Sequence, residues 1–141
     1  MENKSNNKVT VEAIVHAPVE KVWNYWTEPE HITKWNSPSD DWHTPSAEND
    51  LQVGGKFSSR MEAKDGSFGF DFGGVYDEVK SNEFIAYTLG DGRQVEISFI
   101  TQDNNTKIIE VFDTESENPI EMQQQGWQAI LNNLKKYTEQ Q

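Results

Sequence analysis

Cysteine is absent from the 141 residues. Its absence excludes disulfides, thiolate zinc sites, iron–sulfur clusters and thiol nucleophiles. Positive charge is scarce, with 12 basic residues against 24 acidic ones and a net charge of −12. That balance opposes the phosphate backbone of nucleic acid and anionic membrane surfaces, so neither is expected as a partner. Apolar residues make up only 34%, and no run approaches the ~20 apolar residues of a membrane-spanning helix. The stretch Met1 to Asn7 is polar and has no apolar segment of a secretory leader. It reads as a disordered lead-in to a single domain over residues 8–141, in a chain expected to be cytoplasmic.

What the chain does have is rings. Five Trp, four Tyr and seven Phe make up 11% of the residues. A lean core built from a few large rings leaves gaps that aliphatic side chains would close, which favours a hollow interior.

The first patterned run is Val9 to Val15, where Val9, Val11, Ala13 and Val15 alternate with more polar neighbours, the period of a half-buried strand. Pro18 suits a helix start, and Val19, Val22, Trp23 and Trp26 follow at helical spacing. Pro29 breaks that helix and begins a second, with Ile32 and Trp35 on one side. The polar, proline-containing stretch Asn36 to Asp50 reads as a loop holding Trp42 and His43. Strands are then expected at Lys56–Lys64, at Phe68–Tyr76, at Glu83–Leu89, around Val95–Phe99 and at Ile108–Phe112. Asp65-Gly66 and Asp91-Gly92 supply tight turns, and Gly73-Gly74 suggests a bulge that leaves the parity of Tyr76 open. A final helix starts near Asn118-Pro119, with Asn118 as its cap and Glu121 completing a capping box. Its stripe is Trp127, Ile130, Leu131, Leu134 and Tyr137. Some twenty residues at ~1.5 Å each span about 30 Å, enough to cross a whole sheet. The expected class is therefore α+β: a curved antiparallel sheet, two short helices after the first strand, and a long C-terminal helix. A helix laid across a curled sheet touches it along a line and leaves space at one end.

The run HAPVEKVWNYWTEPEHITKWN (His16 to Asn36), the Gly54-Gly55 turn, Asp91–Arg93 and GWQAILNNLKKY (Gly126 to Tyr137) carry a family resemblance. The chain resembles bacterial homologues of the C-terminal domain of the activator of the heat-shock-protein-90 ATPase. These belong to the START-like, or SRPBCC, superfamily with the helix-grip fold. The resemblance spans about Lys8 to Tyr137. It implies about six or seven strands wrapped around the long helix and a cavity between them. It implies no named ligand, because this fold hosts lipid carriers, cyclases and co-chaperones alike.

Candidate site residues divide by parity. Phe57, Met61, Phe99 and Trp127 face inward together and are the first choice for cavity wall, with Trp35, Phe70, Phe72 and Tyr76 next. Gln123 lies three residues after Ile120 and four before Trp127, on the buried stripe. It is either a hydrogen-bonding group at the cavity or, if the helix has already left the sheet, a solvated amide. Trp42 and His43 either stand at the cavity mouth or, in the plainer alternative, His43 pairs with a neighbouring carboxylate. Asp40 and Asp41 beside His43 form a poor metal-ligand set, and no metal or other cofactor is expected. Gly126 sits mid-helix, where glycine costs ~1 kcal/mol relative to alanine, and implies close approach by a ligand, by the Trp35–Trp42 region or by packed backbone. Arg60, opposite in parity to Met61, is expected to face out, and Arg93 to pair with a carboxylate. Glu110, Asp113, Glu115, Glu117 and Glu121 read as a solvated acidic edge.

Together these features predict a protein that binds a small hydrophobic or aromatic molecule, with Gln123, His43 and Tyr76 orienting it. Two other readings stay open. One is an accessory domain for a chaperone ATPase, acting through its surface with the chaperone as partner. The other is a cyclase or dehydratase using His43 or Asp71 as acid–base, for which no nucleophilic constellation is visible.

Overall fold

A computed structural model describes residues 8–37 and 39–140. The expected lead-in, Met1 to Asn7, lies outside them. The elements are β1 (Lys8–Val15), α1 (Val19–Thr27), α2 (Pro29–Trp35), β2 (Trp42–Asn49), β3 (Lys56–Ala63), β4 (Gly69–Lys80), β5 (Phe84–Leu89), β6 (Gln94–Gln102), β7 (Asn105–Asp113) and α3 (Ile120–Glu139). All seven strands form one antiparallel sheet in the order β1-β7-β6-β5-β4-β3-β2. From β2 to β7 each strand lies beside its successor, as tight turns dictate. Only β1 crosses over, to pair with β7. The sheet curls, and α3 lies in its concave face. Pro29 occupies the first turn of α2, whereas Pro18 is the residue preceding α1.

The inward faces follow the two-residue period. On β6 Val95, Ile97 and Phe99 are buried, and on β7 Thr106, Ile108, Glu110 and Phe112. Val11 and Val15 of β1 join them, and α3 contributes Leu131 and Leu134. This aliphatic block is the packed part of the core.

Three expectations are corrected. Asn36–Asp50 is not all loop: Trp42–Asn49 forms β2, the edge strand, paired with β3. Its register shifts between His43 and Ser46, around Pro45. An edge is where a sheet tolerates proline, because one row of N–H groups has no partner strand. The bulge lies not at Gly73-Gly74 but between Tyr76 and Glu78. Parity therefore runs unbroken from Phe70 through Tyr76, and the two glycines answer to close packing instead. A Cβ on Gly73 would sit 2.4 Å from the Phe57 carbonyl oxygen, and one on Gly74 2.3 Å from that of Thr88. Finally, Asn118 does not cap α3. Pro119 occupies the cap position without a side-chain hydrogen bond, and the Asn118 side chain donates to Glu115.

Candidate functional site

Between the first half of α3 and strands β2 to β5 lies a pocket of about 440 Å³. Its walls come from α1 and α2 (Trp26, Ile32, Trp35), from the sheet (Phe57, Met61, Phe70, Phe72, Tyr76, Tyr87) and from α3 (Met122, Gly126, Trp127, Ile130). The rings brace one another at mixed angles. Phe57 meets Tyr87 at 4.6 Å between centroids and Tyr76 at 5.1 Å. Trp127 stacks flat on Phe112 at 4.1 Å and takes Phe72 edge-on at 6.0 Å. Trp26 and Trp35 close the far side at 5.3 Å. Such contacts fix each ring against its neighbours. Gly126 adds to the space: a Cβ built there meets nothing within 4 Å. Neither close approach of backbone nor contact with the Trp35–Trp42 region accounts for it.

Of the residues singled out from the sequence, Trp35, Phe57, Met61, Phe70, Phe72, Tyr76, Gln123 and Trp127 come together on this wall. Three are placed elsewhere. Phe99 is buried in the packed core, edge-on to Trp23 and Trp26. Trp42 sits on the edge strand against Phe68 and Phe70. His43 is outside the pocket, with Nε2 3.7 Å from a Glu62 carboxylate oxygen. Asp71 is exposed and faces Arg60, so neither His43 nor Asp71 reaches a pocket ligand. Arg60 points out and pairs with Glu62 and Asp71, and Arg93 pairs with Asp91 at 2.8 Å while lining the pocket.

Gln123 matches neither of its expected states. It is buried, yet its amide is spent on the loop before α3. Its Oε1 accepts the Glu115 N–H at 2.9 Å, and its Nε2 donates to the Glu115 and Asn118 carbonyls at 3.1 and 2.8 Å. It staples the loop that closes one end of the pocket. At the other end the Tyr76 hydroxyl donates to Asn49 Oδ1, and Asn49 Nδ2 donates to the Thr27 carbonyl at 2.6 Å. That chain ties β4 through β2 to the end of α1. Burial pushes the Tyr76 and Tyr87 hydroxyls well above the usual phenol range, so both stay protonated.

The acidic edge is also corrected. Two of its members, Glu110 and Asp113, are buried on β7. They differ in company. Burial pushes the Asp113 carboxyl up, but it is held below the ordinary range by Lys8 Nζ at 2.7 Å and the Gln94 N–H at 2.9 Å. Glu110 is 5% exposed and has no hydrogen bond or ion pair among the described residues. It stands between Ile108 and Phe112 along β7, with Val11 and Ile97 at the paired positions on either side, and lines the pocket. Burial alone pushes its carboxyl up to about 8. The signal was present in the sequence. Glu110 shares the parity of Ile108 and Phe112, and its neighbours in the acidic run concealed that.

For metals, Glu28, Glu30 and His31 bring ligand atoms within 4.8 Å of one another at the start of α2. Both carboxylates are exposed there, and His31 Nδ1 already shares a hydrogen bond with the Tyr137 hydroxyl at 2.9 Å. Among the described residues no helix is long and apolar enough to cross a membrane.

A curled antiparallel sheet gripping one long C-terminal helix, with two short helices inserted after the first strand, defines the helix-grip class of START-like domains. Within that class, the model for the Activator of Hsp90 ATPase homolog 1-like protein family matches residues 16–139, and the chain belongs to this family. An AHSA1-like protein of Aeromonas hydrophila is 41% identical, with a TM-score of 0.89 over 95% of this chain and 93% of that one. A protein of Cytophaga hutchinsonii is 59% identical, with a TM-score of 0.82 over 94% and 92% of the two chains. A protein of Chromobacterium violaceum is 25% identical, with a TM-score of 0.85 over 94% and 97%. No curated protein matches.

Proposed function

We propose that this protein binds a small, largely apolar, ring-bearing molecule between its sheet and α3. The observation that carries the reading is the ring-walled pocket of about 440 Å³. Its size falls within the ~300–1,000 Å³ of small-molecule sites. Apolar burial at ~25 cal/mol per Å² would supply the driving force. Gly126 supports the same reading. It forgoes helix stability at a position where a side chain would project into open space rather than clash. We take the compartment to be the cytoplasm, which suits so acidic a chain.

The test fills the pocket from the helix. Native mass spectrometry of freshly purified protein should show a retained small molecule, or the protein should enhance the fluorescence of the neutral probe N-phenyl-1-naphthylamine. Gly126→Phe, which places a ring in the hollow, should abolish either signal while the far-ultraviolet dichroism stays unchanged. A wild-type protein that retains nothing and leaves the probe dark defeats the proposal.

A second reading takes its support from the family's description, which names an ATPase activator. In that reading the chain is an accessory to a chaperone ATPase and acts through its outer surface. Titration into an Hsp90-type chaperone should then change the rate of ATP hydrolysis. A flat response at saturating protein removes this reading and leaves the first intact.

A further inference from the structure

We propose that the pocket selects ligands carrying a protonated amine, the ammonium held against the Glu110 carboxylate and the carbon skeleton among the rings of Phe57, Phe72 and Trp127. The inference rests on the ligand-binding reading above and gives it a chemical class.

Glu110 is the observation that calls for an explanation. A carboxyl this deeply buried, at 5% exposure, is ordinarily hydrogen-bonded or ion-paired. The other buried carboxyl on the same strand, Asp113, has Lys8 and a backbone N–H. Glu110 has only apolar neighbours along and across the sheet, and the space its side chain faces is the pocket. An unpartnered acid at the back of a ring-lined hollow lacks a donor that the chain does not supply. A cation also suits the remaining walls. Their charged side chains are Glu48, Glu115 and Arg93, of which Arg93 is already paired with Asp91. Glu115 is committed to the loop, accepting from the Glu117 and Asn118 N–H groups. The wall is thus short of positive charge, which disfavours an anionic ligand. Aromatic faces add attraction for an ammonium group that a neutral or anionic ligand does not receive.

The titratable groups around Glu110 are few. Tyr87 on β5 feels the Glu110 charge, along with Tyr76 on β4 and Arg93 before β6, and both phenols stay neutral. From α3 the pocket receives Met122, Gln123, Gly126, Trp127 and Ile130, none of which titrates. Empty, Glu110 is mostly protonated at neutral pH, since burial holds it near 8. Binding an ammonium ionises it. The proton leaves to solvent as the positive charge enters, and the site's net charge is conserved.

Three probes of one skeleton provide the test: 1-naphthylmethylamine, 1-naphthylmethanol and 1-naphthoate. Each is titrated calorimetrically at pH 7 in two buffers of different ionisation heat. The amine should bind more tightly than the alcohol by roughly tenfold or more, as expected for a charge-assisted contact. It should release close to one proton per site, the alcohol none, and naphthoate should bind weakest. Affinity for the amine should fall on the order of tenfold for each pH unit below about 8. Glu110→Gln should lose the amine's advantage and its proton release while keeping the alcohol's affinity. An alcohol that binds as tightly as the amine, an amine that binds without releasing a proton, or a Glu110→Gln variant with undiminished amine preference overturns the inference and leaves ligand binding standing. Failure of all three probes to bind, together with a dark N-phenyl-1-naphthylamine, overturns ligand binding itself.

Discussion

The two halves of α3 face the same sheet and do opposite things. Its C-terminal half buries Leu131 and Leu134 completely, in the same core cluster as Val11, Val15 and Ile108. Aliphatic side chains at helical spacing meet aliphatic side chains at strand spacing, and the space closes. Its N-terminal half presents Gln123, Gly126 and Trp127 to Phe57, Phe72 and Tyr76, and the space stays open. A few large rings meeting at mixed angles leave gaps that aliphatic side chains would close. The difference lies in the kind of apolar side chain more than in the amount, and one glycine where a turn of helix could carry a branched residue widens it. The sheet supports a filled half and an open half, with Glu110 at their border.

The border residue should give the largest effect. The folded protein holds a proton on Glu110 up to about pH 8, whereas an unfolded chain gives it up near 4.5. Stability is therefore full below 4.5 and falls as the pH rises toward 8, by on the order of 4 kcal/mol. Urea denaturation at pH 5 and pH 8 should show that loss in the wild type, with little of it in Glu110→Gln. A wild-type-to-variant difference that is the same at both pH values would mean that Glu110 is not held protonated. Next come the two walls. Leu134→Ala, in the filled half, should lose about 2–5 kcal/mol to the cavity it creates. Phe72→Ala, beside space that already exists, should lose less than half as much despite removing more atoms. Equal shifts in denaturation midpoint would erase the distinction between the halves. Gln123→Leu should cost about 1–3 kcal/mol, because it strands the Glu115 N–H and two carbonyls while adding apolar surface. An unchanged midpoint would show that the loop does not depend on its staple. Smallest and of opposite sign, Gly126→Ala should gain about 0.5–1 kcal/mol in melting experiments. A loss would mean that the helix is packed tightly where the structure leaves it free.

Most of the architecture was legible because strand and helix periods are local. Val9 to Val15, the alternation around Phe57 and Met61, and the stripe from Trp127 to Tyr137 each declared the face they bury. The stretch before residue 50 was illegible because β2 is an edge strand. With one face half-exposed and Pro45 at a register shift, it lacks the alternation and composition that mark a central strand. The pocket was half legible. Parity brought Phe57, Met61, Phe72 and Trp127 onto one side, but it could not say that Phe99, of the same parity, lies farther along under α1. The helical stripe marks Gln123 as an inward-facing amide, while its partners, backbone atoms of the preceding loop, carry no sequence signature. Glu110 is concealed for another reason. Charge runs are usually solvated, and the two-residue period that contradicted this was outweighed by the acids that follow.

The crossover of β1 has a consequence for synthesis. Lys8 and Asp113, bound to each other at 2.7 Å, are 105 residues apart in the chain. Of the seven strands β1 is made first, and it must wait for β7, the last of them, before it can pair at all. Six strands can zip together hairpin by hairpin in order of appearance, but the sheet cannot acquire its seventh, nor α3 its firmest support, until β7 has been made. A truncated product ending ahead of β7 would leave Val9, Val11, Ala13 and Val15 as an unpaired apolar ribbon, ready to associate with another nascent copy.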